Sequence, residues 1–370
     1  TFTIISKPMS YEYKKDCKSF PSVFTCDIMK SEGQKDCKDC LFYEKIDKKI
    51  LIIKLGALGD VIRTTPIIDA LRKKHGYNSQ ITWIVDPEGK DHIKDKVDRA
   101  WSYTPDIAYR LMFEKFDIVY SLEVDTPTTF LSNLVKAKEK YGFYLSEQGH
   151  PEVFNEKARY YLDRALSDHA NKTNRKTYVQ MIFDICELPY ENQTYTITNY
   201  KKDYGLELKT KLGLKNKILG INIGSSPRWP SKRWHLDLVK EFCKKVPKSY
   251  DILILGGKLE EQIQDKLISE LNKQGIKAYK NDPNNTIPEF ISVIDICDIV
   301  VTSDSMAMHI AIGLNKKVIS LFFCTPPWEI ENKSNVIKLQ SPLLESNYYS
   351  NDYSEELVRS ISVEEVLKHV

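Results

Sequence analysis

The apolar run Ile50-Leu51-Ile52-Ile53 leads into a turn holding Gly56 and Gly59, and Asp60 stands where a helix should begin. An acid at that junction projects from the carboxyl edge of a parallel sheet, the rim where open α/β sheets bind ligands. The spacing is Gly-x-x-Gly-Asp, not the Gly-x-Gly-x-x-Gly of dinucleotide binders, and a carboxylate at a helix start repels a pyrophosphate. Asp60 therefore reads as a chemical group. Lys54 at the strand end and Arg63 one turn beyond Asp60 could hold an acidic or phosphorylated ligand, against the plainer reading of a solvated helix-surface arginine.

A second constellation follows the strand-like Lys217–Gly224. Ser225, Ser226 and Ser231 offer hydroxyl donors, Lys232 a mobile cation, and Ser231 is placed to cap a helix starting near Trp234. Such a loop suits a phosphate-bearing ligand; the alternative is a merely solvated surface loop. A third, Thr302 to His309, also links strand to helix. Ser303, Asp304 and Ser305 could cap that helix while its free N–H groups face a phosphate or sugar oxygen, and His309 alone reads as a satisfied core histidine.

Cys17, Cys26, Cys37 and Cys40 crowd into a lysine-rich polar segment, whereas Cys186, Cys243, Cys297 and Cys324 lie among apolar neighbours and read as buried thiols. Four thiolates from a segment without an apolar core can fold around a tetrahedral ion, zinc by default, with iron or an iron–sulfur cluster behind it. Four reduced thiols, or adventitious disulfides, are the competing reading.

The elements that must position these groups alternate. Residues 50–54, 81–85 and 117–121 are β-branched and apolar with helical spacing between several of them, the βαβ pattern of a covered parallel sheet. A polar stretch around Tyr190–Leu212 predicts a linker, and strands follow at Lys217–Gly224, Asp251–Leu255, Asp298–Thr302 and Lys317–Leu321. Ser354–Val370 carries apolar residues at helical spacing and predicts one or two closing helices. The division expected is a Cys-rich segment 1–47, an α/β domain 48–200, a second α/β domain 201–345 and a closing segment 346–370. At 370 residues the chain exceeds one ordinary core. Lys plus Arg number 54 against 51 Asp plus Glu, too even to suggest a nucleic-acid partner or a polybasic anchor. No stretch is long and apolar enough to span a bilayer, and the first residues lack a secretory core, so a cytoplasmic place, with peripheral membrane association at most, is the default.

Together, in this order, residues 52–66, Trp229–Trp234, Leu255–Glu260 and Ser303–Ala311 resemble glycosyltransferase family 9, the heptosyltransferase-like enzymes of bacterial surface polysaccharide, over about residues 48 to 330. The resemblance implies a GT-B fold: two Rossmann-like, doubly wound domains facing a cleft, here behind an N-terminal Cys-rich extension. The first domain would hold the acceptor and the second the nucleotide-sugar donor. It places Asp60 at the general base, Lys232 at the donor phosphates and Glu260 at the nucleotide ribose, with Glu261 leaving that register open by one. Asp304, Ser305 and His309 match the motif at the sugar and pyrophosphate. ADP-heptose is the donor it implies.

The residue types suit that chemistry. A carboxylate can take the proton of an attacking sugar hydroxyl, and Lys232, serine hydroxyls and helix amides can receive the charge of the leaving diphosphate. No cofactor is needed, and no Asp-x-Asp motif of a metal-bound nucleotide sugar occurs; Glu123-Val124-Asp125 is the nearest approach, and its position makes Asp125 a candidate acceptor contact. Two departures fall in the donor half: Met306 where the family has glycine, and Phe323-Cys324-Thr325 where it has Gly-Pro-Thr. They motivate an alternative, a nucleotide-sugar-binding or assembly protein without turnover. A nicotinamide oxidoreductase is disfavoured because no Gly-x-Gly-x-x-Gly follows a strand. Lipid-linked glycan, other glycan and protein acceptors are all compatible with the sequence, and it leaves the oligomeric state open.

Overall fold

The computed structural model describes residues 11–21, 25–197 and 199–370. Two six-stranded sheets carry the chain. The first comprises β1 (Lys49–Ile53), β2 (Gln80–Val85), β3 (Arg99–Ser102), β4 (Lys115–Ser121), β5 (Lys136–Leu145) and β6 (Pro151–Val153), in the order β3-β2-β1-β4-β5-β6. The second comprises β7 (Lys217–Asn222), β8 (Tyr250–Leu255), β9 (Ala278–Lys280), β10 (Ile299–Ser303), β11 (Lys317–Phe322) and β12 (Val336–Gln340), in the order β12-β11-β10-β7-β8-β9. All pairings are parallel except β5 with β6. Read from opposite edges, the two orders are the same doubly wound 3-2-1-4-5-6, the Rossmann arrangement.

The strands the sequence marks are those buried on both faces. β1 buries Ile50, Leu51, Ile52 and Ile53 completely, and the whole of β2 is buried, so each reads as a continuous apolar run. β3, β5, the hairpin partner β6, β9 and β12 escape notice because they are only partly buried, the ten-residue β5 included. The expected linker is in part a helix, Lys202–Leu212. Its polar face meets solvent, and Gly205 lets its backbone approach the helix Ile287–Asp295 so closely that a Cβ would lie 2.2 Å from the Ser292 carbonyl oxygen. The closing segment forms two short helices, Glu355–Arg359 and Val363–Leu367, capped by Ser354 and Ser362. Leu357, Ile361, Val363 and Val366 pack into the core of the second domain.

A single apolar cluster runs from β1 through the helices Leu58–Thr64 and Tyr178–Ile185 to Met308, Ile310 and Phe322 of the second domain. The two halves meet where helix Leu58–Thr64 faces helix Met306–Gly313. Gly59 permits that approach, since a Cβ there would sit 2.8 Å from Cδ2 of His309. No helix among the described residues is long and apolar enough to cross a membrane.

Candidate active site

The order reverses between β1 and β4 in one sheet and between β7 and β10 in the other, and at these switch points the strands' carboxyl ends open a crevice. Asp60 follows β1, the Ser225–Lys232 loop follows β7, and Asp304 follows β10. All three chemical segments therefore reach one cleft of about 640 Å³ between the domains, lined by Asp60, Arg63 and Tyr178 on one wall and Lys232, Asp304 and His309 on the other.

Asp60 lies in the first turn of its helix, and its Oδ1 accepts from Arg63 Nη2 at 2.5 Å. Among the described residues its Oδ2 has no hydrogen-bonding partner. Burial works to raise the Asp60 pKa, but the charges of Arg63 and Lys54 and the Arg63 hydrogen bond hold it below the ordinary 3.8. The Arg63 guanidinium lies over the Tyr178 ring, 4.0 Å from its centroid. Arg63 thus lines the cleft but is already engaged with Asp60.

Two acceptor candidates do something else. Lys54 is 1% exposed, and its Nζ donates to Glu123 Oε1 at 2.6 Å and to the Gly56 carbonyl. It holds the turn before Asp60 and is not open to a ligand. Asp125 caps the helix Thr126–Leu134 by accepting from Thr128 N at 2.9 Å, and it does not line the cleft. Breaking a buried ion pair leaves an uncompensated charge, so Lys54→Met should cost roughly 3–5 kcal/mol. A urea-unfolding comparison checks this; a midpoint equal to the wild type would contradict the pairing.

On the opposite wall Lys232 Nζ and Asp304 Oδ2 are 2.8 Å apart. Burial opposes ionisation of Asp304, yet Lys232, His309 and Arg63 hold its carboxyl well below the usual range. His309 Nδ1 lies 3.1 Å from the Tyr195 hydroxyl and Nε2 faces Asp304 Oδ1 at 3.8 Å. Burial and the Arg63 charge push its pKa down to about 3, so the ring is neutral near pH 7. Tyr195 then donates to Nδ1 while Nε2–H faces Asp304. His309 is buried and hydrogen-bonded, as a satisfied core histidine would be, and it also lines the cleft.

A second cavity of about 280 Å³ adjoins, lined by Ser225, Ser226, Glu260, Asn285, Phe290 and Met306 among others. Glu260 rather than Glu261 faces it; Glu261 pairs with Lys258 on the surface. Glu260 Oε2 accepts from Gly257 N at 3.1 Å, and Oε1 meets Arg233 Nη2 at 3.2 Å. Arg233 also donates to the Ser225 hydroxyl and carbonyl. Met306 touches both cavities and stands between them. Phe323 and Cys324 turn into the core, leaving Thr325 at the cleft.

Ser231 departs from expectation. It is fully buried, donates to the Asp352 carbonyl at 2.9 Å and accepts from Ser354 N at 2.9 Å. It ties the loop to the closing segment and lines neither cavity; His235, not Ser231, caps the next helix. Ser305 shares hydrogen bonds with Thr302 and with Asn222 Nδ2, which also donates to Gly224 and so clamps the loops after β7 and β10 together. Asn222, Arg233 and Tyr178 carry no signal in the sequence for these contacts, and neither does the interdomain pair Arg164–Glu329 at 2.6 Å, whose partners lie 165 residues apart.

The four N-terminal cysteines are free thiols that line one small cavity with Met29 and Phe20, remote from the cleft. No group of three or more His, Cys, Asp or Glu among the described residues is already gathered to hold a metal ion.

The sequence profile of glycosyltransferase family 9 (heptosyltransferase) matches residues 106–348. Lipooligosaccharide heptosyltransferase 2 of Campylobacter jejuni is 26% identical over 303 residues, covering 77% of this chain and 86% of that one. A glycosyltransferase family 9 crystal structure from Veillonella parvula superposes with a TM-score of 0.69 at 20% identity, over 88% of this chain and 97% of the other. E. coli ADP-heptose LPS heptosyltransferase II superposes with a TM-score of 0.65 at 16% identity, over 87% and 97%.

Proposed function

The chain belongs to glycosyltransferase family 9 and is a glycosyl-transferring enzyme of GT-B fold; from that premise we propose that it moves a heptose from ADP-heptose to a hydroxyl of a bacterial surface glycan. The observation that carries the reading is the cleft itself: Asp60, with one carboxylate oxygen unpartnered, lines the same space as the Lys232–Asp304 pair, and a nucleoside-sized cavity adjoins it. The acceptor oxygen attacks the anomeric carbon while its proton passes to Asp60 Oδ2. The bond from that carbon to the diphosphate oxygen breaks on the opposite face, with inversion, and ADP leaves with the bonding electron pair.

Lys232 receives the charge that develops on the diphosphate, and Glu260 accepts hydrogen bonds from the ribose hydroxyls. The heptose is supported by the name of the C. jejuni relative, a lipooligosaccharide heptosyltransferase, and the adenine nucleotide by that of the E. coli structure, an ADP-heptose LPS heptosyltransferase. A ligand that binds only the folded state raises apparent stability, by about 2.7 kcal/mol at a hundred times its dissociation constant. Thermal unfolding with ADP-heptose, and with UDP- and GDP-sugars, tests the donor. ADP-heptose should raise the melting temperature of the wild type and do so less for Glu260→Ala. Stabilisation by a UDP- or GDP-sugar alone would overturn the choice of base.

A further inference from the structure

The cysteine-rich segment lies at the far end of the first domain. Lys18 Nζ pairs with Asp98 Oδ1 at 3.2 Å, Gln80 Nε2 donates to the Lys18 carbonyl at 3.0 Å, and Arg99 Nη2 donates to the Phe20 carbonyl at 3.0 Å. Gln80 and Arg99 are the first residues of β2 and β3, so the segment is fixed to the amino edge of the sheet, opposite the cleft. It cannot take part in chemistry at Asp60.

Little in the segment itself accounts for its order. Its regular structure among the described residues is the five-residue helix Asp27–Ser31 and one isolated bridge between Cys17 and Lys45. Its core is Met29, Cys26 and Cys37, with Phe20 and Ile28 packed against them. So small an apolar cluster rarely offsets the entropy of ordering a segment of this length, and such segments ordinarily use disulfides or a metal. No disulfide is present: all four thiols are free.

Yet all four face one place. Cys17, Cys26, Cys37 and Cys40 line a single cavity that no histidine or carboxylate enters. The backbone brings them there, with Cys17 N donating to Lys14 O, Cys37 N to Glu12 O and Cys40 N to Cys37 O, the last closing the Cys-x-x-Cys turn. Cys17, Cys26 and Cys37 are each less than a tenth exposed. Two of the thiols make only weak contacts, Cys26 Sγ with Ser19 O at 3.6 Å and Cys37 Sγ with Met29 Sδ at 4.0 Å.

We propose that Cys17, Cys26, Cys37 and Cys40 form a structural site for one thiophilic divalent cation, zinc foremost, that holds the segment against the amino edge of the first sheet. As they stand the sulfurs share a cavity without being gathered on a point. Binding draws them in, which a segment of loops and one short helix permits. The thiols lose their protons to water as the four metal–sulfur bonds form, and the binding free energy becomes folding free energy of the segment. An all-sulfur donor set favours zinc or ferrous iron over magnesium or calcium.

The test is metal analysis of the full chain produced with zinc and iron supplied, followed by Co²⁺ titration of chelator-treated protein. About one equivalent of zinc or iron per chain is expected, together with the intense sulfur-to-cobalt charge-transfer band of a tetrathiolate site. Cys37→Ser and Cys17→Ser should each lower metal content at least fivefold, while Cys243→Ser, in the second domain, should leave it unchanged. Wild-type protein that purifies metal-free and gives no charge-transfer band with Co²⁺ overturns the proposal without reference to any variant's folding. Metal retained at full content in both N-terminal variants overturns it equally.

Discussion

Asp60→Asn is expected to lower kcat by about 10²–10⁴ while leaving the donor dissociation constant unchanged. The substitution keeps the shape of the side chain, and its amide oxygen can still accept from Arg63, which remains seated on Tyr178. What disappears is the negative charge and the capacity of the second oxygen to take a proton. Single-turnover kinetics with saturating donor separates the chemical step from binding, and the melting temperature shows that the fold is intact. A variant with wild-type turnover would remove Asp60 from the base role. Asp304 and Glu329 would then be the remaining carboxylates on the cleft to examine, the first paired with Lys232 and the second with Arg164.

The same assignment has a pH signature. Asp60 is held below 3.8 and His309 at about 3, so neither changes charge between pH 5 and 8. A depressed carboxylate pKa means that the basic form persists as the medium is acidified and is lost only below that value. The dependence of kcat/KM on pH should accordingly show no acid limb from either group near neutrality. An acid limb near pH 6 that vanished in His309→Asn would mean that His309 takes up a proton in the free enzyme and is not held neutral by its surroundings.

How much of this was legible in the sequence follows from what each residue is asked to do. Both doubly wound sheets announce themselves because their central strands, β1, β2, β10 and β11, are covered on both faces and so are nearly all apolar. Asp60, Lys232 and Asp304 are legible because each sits at a strand-to-helix junction, where the carboxyl edge of the sheet forces exposure to the crevice. Ser231, Lys54 and Asp125 have the same junction chemistry but point elsewhere, into a loop tether, a buried ion pair and a helix cap. Nothing in residue type distinguishes the two fates; side-chain direction does. Arg164 and Glu329 are invisible for another reason, since their pairing depends on how the domains meet and neither belongs to a motif.

The second large effect is expected at Lys232. Lys232→Met should lower kcat/KM by about 10²–10³, the size seen when one charge-stabilising donor is removed from a transition state. The cost has two parts. One is the lost cation at the leaving diphosphate; the other is that Asp304, deprived of the ammonium that stood 2.8 Å from its Oδ2, turns its full negative charge toward the same phosphates. His309 cannot compensate, because it is held neutral. Adding Asp304→Asn to Lys232→Met should therefore restore part of the loss, so that the double variant is more active than the single lysine variant. A double-mutant cycle on kcat/KM reads the coupling directly. Additive losses in the two variants would mean that Asp304 acts on the substrate itself, through the sugar hydroxyls, and not by orienting Lys232.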